Sequence, residues 1–420
     1  MRTKKLIVVI FCFVLLSILL ILFNGGGNQN DSIKNIYTQT HEHLKELQVN
    51  LRVASDKKLE IDEKYLEILG FINGSSNAEQ LSSLSTSSSS SWSASSSSHF
   101  QPSSTIRTAL SNNLLNFNGT KTTFSIVTYV QTGETSSVIL LLQNIANKLP
   151  NENIVLYDLG LTSYEYKTLS PYCNYSSAKC TIVTYDLTVF PSHIPDKRMM
   201  HAYRPIVIKD ALLRSKTILF MENTMRLNGT SRDVYDLLAK LTSKVYNGGT
   251  KSEVTSTSTD TLSSGVLGWS EPTAVSTRSH PKMFEYFQTK AEEFIFLRMI
   301  DLDAIFFTDS KVVSDQILLP WIKCAFTLEC LDPIGAQSNG CKYNKKPQYR
   351  YSGCHAYDTS ALNIVLGLTW HMDHSKYSIP KEGENTKYIF SKQSLSQSSR
   401  ILDNRRRNIT DTSEHPYSDE

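Results

Sequence analysis

Residues 6–23 read LIVVIFCFVLLSILLILF, a run with no charge, proline or glycine. In hydrocarbon every backbone N–H and C=O must bond within its own segment, so such a run has the α-helix open to it there. At about 18 residues or more a helix spans the ~30 Å apolar core of a bilayer, whereas the apolar part of a cleaved signal peptide is about 7–15 residues long. Arg2, Lys4 and Lys5 precede the run and Asn24-Gly25-Gly26-Gly27 follows it. The positive-inside rule then keeps residues 1–5 in the cytosol and sends the rest into the lumen or outside, the topology of a single-pass type II signal anchor. The competing reading is a cleaved signal peptide with a long core, but no Ala-x-Ala-like site follows. The expectation is a Golgi-type membrane protein, with the plasma membrane as the other destination.

Charge adds to the topology. The chain carries 43 Lys plus Arg against 40 Asp plus Glu, a formal +3, and the three cations ahead of the run account for that excess. The lumenal remainder is balanced, which gives no basis for a nucleic-acid partner, since that needs a concentrated basic surface.

An oxidising compartment changes what cysteines mean. With Cys12 in the run, Cys173, Cys180, Cys324, Cys330, Cys341 and Cys354 remain, an even number in three close pairs. Their proximity favours Cys173–Cys180, Cys324–Cys330 and Cys341–Cys354, although other connectivities are open. A zinc site competes, but no pair has the Cys-x-x-Cys spacing. Sequons at Asn30, Asn73, Asn118, Asn174, Asn228 and Asn408 all fall on the lumenal side and predict N-glycosylation.

Residues 24–120 read as a stem. Tyr37, Leu44, Leu47 and Leu51 recur at mostly helical spacing, which suits either a solitary helix or a coiled-coil seam joining a homodimer. Residues 82–98 hold 13 serines in 17 positions, a composition that stays disordered and suits an O-glycosylated stalk. Order resumes at 121. Strands are expected at 124–130, 153–158, 181–185, 217–221 and 304–307, with helices at 136–149, 204–216, 233–245 and 312–327. The alternation predicts one α/β domain, 121–394, with a mainly parallel sheet flanked by helices. The tail 395–420, with Arg405-Arg406-Arg407, reads as disordered.

Parallel sheets bind ligands beyond the carboxyl ends of their strands. Asp158, Asp186 and Glu222 stand there. Each is a candidate for a divalent ion that bridges a diphosphate, and each is equally an acceptor in a turn or cap. Asp301-Leu302-Asp303 enters an apolar strand with both acids on one side, placed to act as base or metal ligand, or simply to be solvated. Asp358 sits near the start of an amphipathic helix, where it reads as an N-terminal cap. His371 and His374, beside Asp373, are a minor metal-ligand set. No Gly-x-Gly-x-x-Gly, Walker or Gly-x-Ser-x-Gly motif is present, which weighs against dinucleotide, ATP and serine-hydrolase chemistry.

Four segments carry a resemblance: Tyr203-Arg-Pro-Ile-Val-Ile-Lys-Asp-Ala-Leu212, Ile218-Leu-Phe-Met-Glu-Asn-Thr-Met-Arg226, Leu319-Pro-Trp-Ile-Lys-Cys-Ala325 with Cys330-Leu-Asp-Pro333, and Cys354-His-Ala-Tyr-Asp-Thr-Ser-Ala-Leu-Asn363. Over about 123–370 the chain resembles an invertebrate family of uncharacterised type II membrane proteins that look like GT-A, nucleotide-diphosphosugar-transferase glycosyltransferases. The resemblance implies a GT-A-like fold, a nucleotide-diphosphate sugar as donor, a glycan or glycoprotein as acceptor, and Mn or Mg as cofactor. It implies donor and cofactor contacts at Glu222, Asn223 and Asn363, the metal at Glu222, and catalytic work by Asp301, Asp303 or Asp358. The departure is at Glu222-Asn223-Thr224, which lacks the second acid of an Asp-x-Asp motif. That absence motivates the other reading, a non-catalytic membrane-anchored binding or surface protein that keeps the fold.

Overall fold

Ile218 and Phe220 face one apolar cluster, Leu219 and Met221 face another, and all four are fully buried. A strand whose alternate side chains both meet packed layers lies inside a sheet covered on two faces. The computed structural model describes residues 59–72, 122–174, 179–196, 200–242, 264–344, 346, 349–383 and 386–413. The apolar run, the Ser-rich stretch and Asn30, Asn73 and Asn118 lie outside the described residues, as do the side chains of Asn174 and Asn408. No helix among the described residues is long and apolar enough to cross a membrane.

The sheet begins with β1 (Thr122–Val130), β2 (Asn153–Asp158), β3 (Lys179–Thr184) and β4 (Ser215–Met221), parallel in the order β3-β2-β1-β4. Around these run α1 (Glu63–Ile68), α2 (Thr135–Lys148), α3 (Ser163–Asn174) and α4 (Arg204–Arg214). Next come β5 (Met225–Leu227), α5 (Ser231–Thr242), β6 (Val266–Ala274), β7 (Arg298–Ile300) and β8 (Ala304–Thr308). The chain continues with α6 (Leu319–Phe326), α7 (Tyr357–Thr369), β9 (Ser378–Pro380), the hairpin β10 (Glu382–Gly383) and β11 (Thr386–Lys387), β12 (Phe390–Lys392) and α8 (Leu395–Ser413).

The expectation of a mainly parallel sheet needs correcting beyond β4. There β8 pairs antiparallel with both β4 and β6, and β7 pairs antiparallel with β6, so the sheet is mixed. β7 and β8 form one line along β6, broken by a bulge. Between the pairs Ser270↔Ile300 and Leu267↔Phe306, six steps on one strand oppose three on the other. The surplus is Asp301-Leu302-Asp303. Bulges re-aim side chains at a sheet's end, and here Leu302 turns into the core while the acids do not.

Three further departures have local causes. Residues 59–72, expected in the stem, belong to the domain. Leu69 is buried, the Tyr65 ring meets Phe326 edge-on at 5.2 Å, and Lys209 lies 4.2 Å over Phe71. The tail is helical to Ser413, because Leu402 and Ile401 pack into the cluster that α2 lines with Val138, Leu141 and Ile145. The helix expected over 312–327 is π-helical at Val313–Leu318 before α6, where Pro320 removes a backbone donor.

All three cysteine pairings are present: Cys173–Cys180, Cys324–Cys330 and Cys341–Cys354, with Cα separations of 5.0, 5.3 and 5.0 Å. Short loops of this size stabilise by about 2–3 kcal/mol each through the unfolded chain.

Candidate functional site

The strand order places a switch point between β1 and β4: the chain leaves β1 toward β2 and β3, then returns to its other side. Ligands of open α/β sheets settle outside the carboxyl ends at such a point. Tyr129 stands near the end of β1, Glu222 directly after β4, Arg204 at the start of α4 and Asp358 in the first turn of α7.

These four close on one another. Glu222 accepts from the Tyr129 hydroxyl through Oε2 and from Arg204 Nε through Oε1, the latter at 2.8 Å. Arg204 Nη1 donates to Asp358 Oδ1 and Oδ2 at 3.2 and 3.0 Å, and Trp321 Nε1 fixes the Asp358 carbonyl at 2.9 Å. All three charged residues are buried. Burial pushes the Asp358 carboxyl up to about 7 against the pull of Arg204. Burial also works against the Arg204 charge, but Asp358 and Glu222 outweigh it and hold that group well above its ordinary value. Tyr357, beside Asp358, and His201, just ahead of Arg204, adopt left-handed backbone at φ 45° and 51°. That conformation costs about 1–2 kcal/mol in a residue with a Cβ, so the strain flanks the ion network on two sides.

Each Glu222 carboxylate oxygen thus accepts one hydrogen bond within the network, and the side chain is 8% exposed. Among the described residues, no group of three His, Cys, Asp or Glu side chains is placed to hold a metal ion. Glu222, expected to take the ion, is here engaged by Tyr129 and Arg204. His371 and His374 are both exposed, and no such group among the described residues includes them.

Asn223 and Asn363 are likewise turned inward. Asn223 Nδ2 donates to Glu134 Oε2 at 2.8 Å and to the Tyr129 carbonyl at 3.3 Å. Asn363 accepts from the Ile300 N–H at 2.7 Å and donates to the Ile300 carbonyl at 2.9 Å. It thus clamps the end of β7 where the bulge begins. Asp158 and Asp186 close turns: Asp158 Oδ1 accepts from the N–H groups of Gly160 and Leu161, and Asp186 Oδ1 from that of Thr188. Asp358 is no cap, since Ala356 holds the N-cap position of α7.

The bulge acids differ. The Asp303 carbonyl accepts from the Glu222 N–H at 2.9 Å, which seats the bulge against the exit of β4. Its side chain is 15% exposed and meets Lys392 Nζ at 3.2 Å, while Lys392 is itself 63% exposed. Burial, then the neighbouring Asp301 charge, raises Asp303 to about 6, and Lys392 opposes them. Asp301 lies 3.8 Å from Lys381, which also pairs with Glu271 and sits 4.8 Å over the Tyr388 ring. The result is a water-facing acid pair, one member with an affinity for protons close to neutral, ringed by two lysines. Glu222, Asp303 and Asp358 do meet at one end of the sheet, but only Asp301 and Asp303 have faces left open.

Tyr129, Arg204, Lys381, Lys392 and Tyr388 are site residues that sequence reasoning did not single out. Arg204 carried a usable signal, a cation ahead of Pro205 in the apolar run of α4.

No protein-family model matches the chain, and no curated protein matches its sequence. Among solved structures, the chain is similar to the bifunctional glycosyltransferase WbbM in its apo form, at 11% identity and TM-score 0.35 over 59% of this chain and 38% of that one. It is similar to the galactosyltransferase LgtC in complex with donor and acceptor sugar analogs, at 8% identity and TM-score 0.35 over 67% and 95%. It is also similar to the mannosyltransferase Ktr4p from S. cerevisiae, at 9% identity and TM-score 0.33 over 58% and 66%.

Proposed function

We propose that the chain is a glycosyltransferase-like enzyme that moves a sugar from a nucleotide-diphosphate sugar to a hydroxyl of a glycan or glycoprotein. The observation that carries this reading is the open acid pair Asp301 and Asp303, set in a bulge at the carboxyl end of β4 beside the switch point. Asp303, raised to about 6 by burial and by Asp301, has the proton affinity a general base needs near neutral pH. In the reaction, the bond from the anomeric carbon to the diphosphate oxygen breaks and a bond to the acceptor oxygen forms. The acceptor's proton passes to Asp303. Lys381 and Lys392 stand beside the pair as the positive charge that a departing diphosphate requires. Tyr129 and the buried triad of Glu222, Arg204 and Asp358 tie β1, β4, α4 and α7 together beneath the site.

The expected setting is the one the sequence supports: residues 6–23 as a type II anchor, the Golgi as compartment, glycans at the sequons. Asn228 is exposed, as a modified sequon must be.

A second reading has its own observation. Because both Glu222 oxygens are occupied, the chain also suits a membrane-anchored binding module without turnover. Incubating the purified full chain with a panel of nucleotide sugars, with and without Mn, separates the two. Release of nucleoside diphosphate that Asp303→Asn abolishes supports the transferase. Nucleotide binding by calorimetry with no turnover supports the module, and absence of both removes the nucleotide-sugar reading.

A further inference from the structure

β5 and β12 pair with Ser391 opposite Arg226, and α8 then folds back over them. Between these elements lies a cavity of about 470 Å³ whose charged lining is Arg226, Lys392 and Arg400, with no Asp or Glu. It shares Arg226 and Gln393 with a neighbouring cavity of about 650 Å³ between α2 and α8, which adds Arg405 and again no acid. In a chain whose lumenal part is charge-balanced, four cations without an acid along one trough are a concentrated exception.

Arg226 is the unusual member. It is 8% exposed, yet all its partners among the described residues are neutral: Gln393 Oε1 at 2.9 Å, the carbonyls of Asn223, Met225 and Ser137 at 2.7, 2.6 and 3.0 Å, and the Ser137 and Ser398 hydroxyls. A buried guanidinium ordinarily finds a carboxylate. Here burial alone acts on it and pulls it down to about 10. The amides beside it are set as donors. Gln393 Oε1 is taken by Arg226, and Gln397 Oε1 by the Ser394 N–H at 2.9 Å. Their NH₂ ends have no acceptor among the described residues. Arg400 is exposed, and Lys392 shares its charge with Asp303 at 3.2 Å.

We propose that this trough binds a phosphate or sulfate group, with Arg400 and Lys392 as direct ligands, the two glutamine amides completing the shell and Arg226 supplying a fixed positive field at its base. Charge-assisted donors from several directions match a tetrahedral oxyanion better than a planar carboxylate. The trough shares Lys392 with the proposed transferase site, but Asp301 and Asp303 do not line it and anion binding is read without turnover, so the two readings can fail separately.

The test is calorimetric titration of the full chain with inorganic phosphate, sulfate, a sulfated disaccharide and acetate. Asn228 is among the lining residues, so binding is measured after endoglycosidase trimming to a single N-acetylglucosamine, which keeps residue 228 an amide. The structure predicts saturable binding of phosphate and sulfate, weaker acetate, and a loss of about tenfold in affinity for Arg400→Glu. Lys282→Glu, an exposed reversal on a helix that packs against the opposite face of the sheet, leaves binding unchanged. A tighter sulfated disaccharide identifies the group as one carried on a glycan; parity with sulfate identifies a free ion. No saturable binding, acetate as tight as phosphate, or equal losses for the two variants would overturn the proposal.

Discussion

Two pairs of acids share one end of the sheet and differ in what surrounds them. Glu222 and Asp358 share a single guanidinium and are both buried. Asp301 and Asp303 stand in a bulge, 31% and 15% exposed at their side chains, beside lysines that can exchange partners. Glu222 follows β4 and the acids of the second pair lie between β7 and β8, while Asp358 reaches the same end of the sheet from the first turn of α7. What separates the two pairs is the partner and its access to solvent: a buried guanidinium for one, a largely exposed lysine for Asp303.

The comparison breaks most sharply at Arg204. Arg204→Ala leaves two buried carboxylates without a counter-charge, and the full chain should lose about 3–5 kcal/mol in denaturant unfolding. A loss under about 1 kcal/mol would erase the distinction between closed and open groups. Asp303→Asn should do the opposite: an unfolding midpoint close to wild type, with nucleotide-sugar turnover lowered about 10²–10⁴-fold. Where turnover is measured, the wild-type rate should rise as pH increases through about 6 and then level, because the base works when ionised.

The closed pair carries a pH signature of its own. Asp358 titrates at about 7 when folded, above its ordinary 3.8, so the native state favours its protonated form. That contribution is fully present below about 4 and is lost as pH rises through 7. The wild-type melting temperature should therefore fall across that window relative to Asp358→Asn, and parallel curves would remove the assignment. A smaller effect is expected at the clamp. Asn363→Ala strands the Ile300 N–H and carbonyl, at a cost of about 1–3 kcal/mol, and turnover should fall with it as the bulge loosens. The smallest belongs to the exposed pair: Lys392→Ala should cost about 0.2–1 kcal/mol of stability.

The regions legible in the sequence were those with short-range causes. The strands at 153–158 and 217–221 announce themselves as apolar runs, and the cysteines pair across sequence separations of 7, 6 and 13. Residues 59–72 misled because their partners, Phe190 and Phe326, lie far along the chain. The tail misled for the same reason: its polar face dominates the composition, while Leu402 needs α2 to be buried. Glu222 and Asp358 stood out as acids, but the guanidinium that closes them sits 18 and 154 residues away. Asp301 and Asp303 were readable as a pair, yet the bulge that opens them follows from their register against β6, which no local pattern encodes.

The most direct test measures nucleotide-sugar turnover by the full chain, wild type beside Asp303→Asn and Asp358→Asn, with rates normalised to folded protein. If the open pair does the chemistry and the closed pair holds the scaffold, Asp303→Asn falls by at least about 10²-fold and Asp358→Asn stays within about tenfold of wild type. A wild type without turnover, or an Asp358→Asn loss exceeding that of Asp303→Asn, contradicts the account.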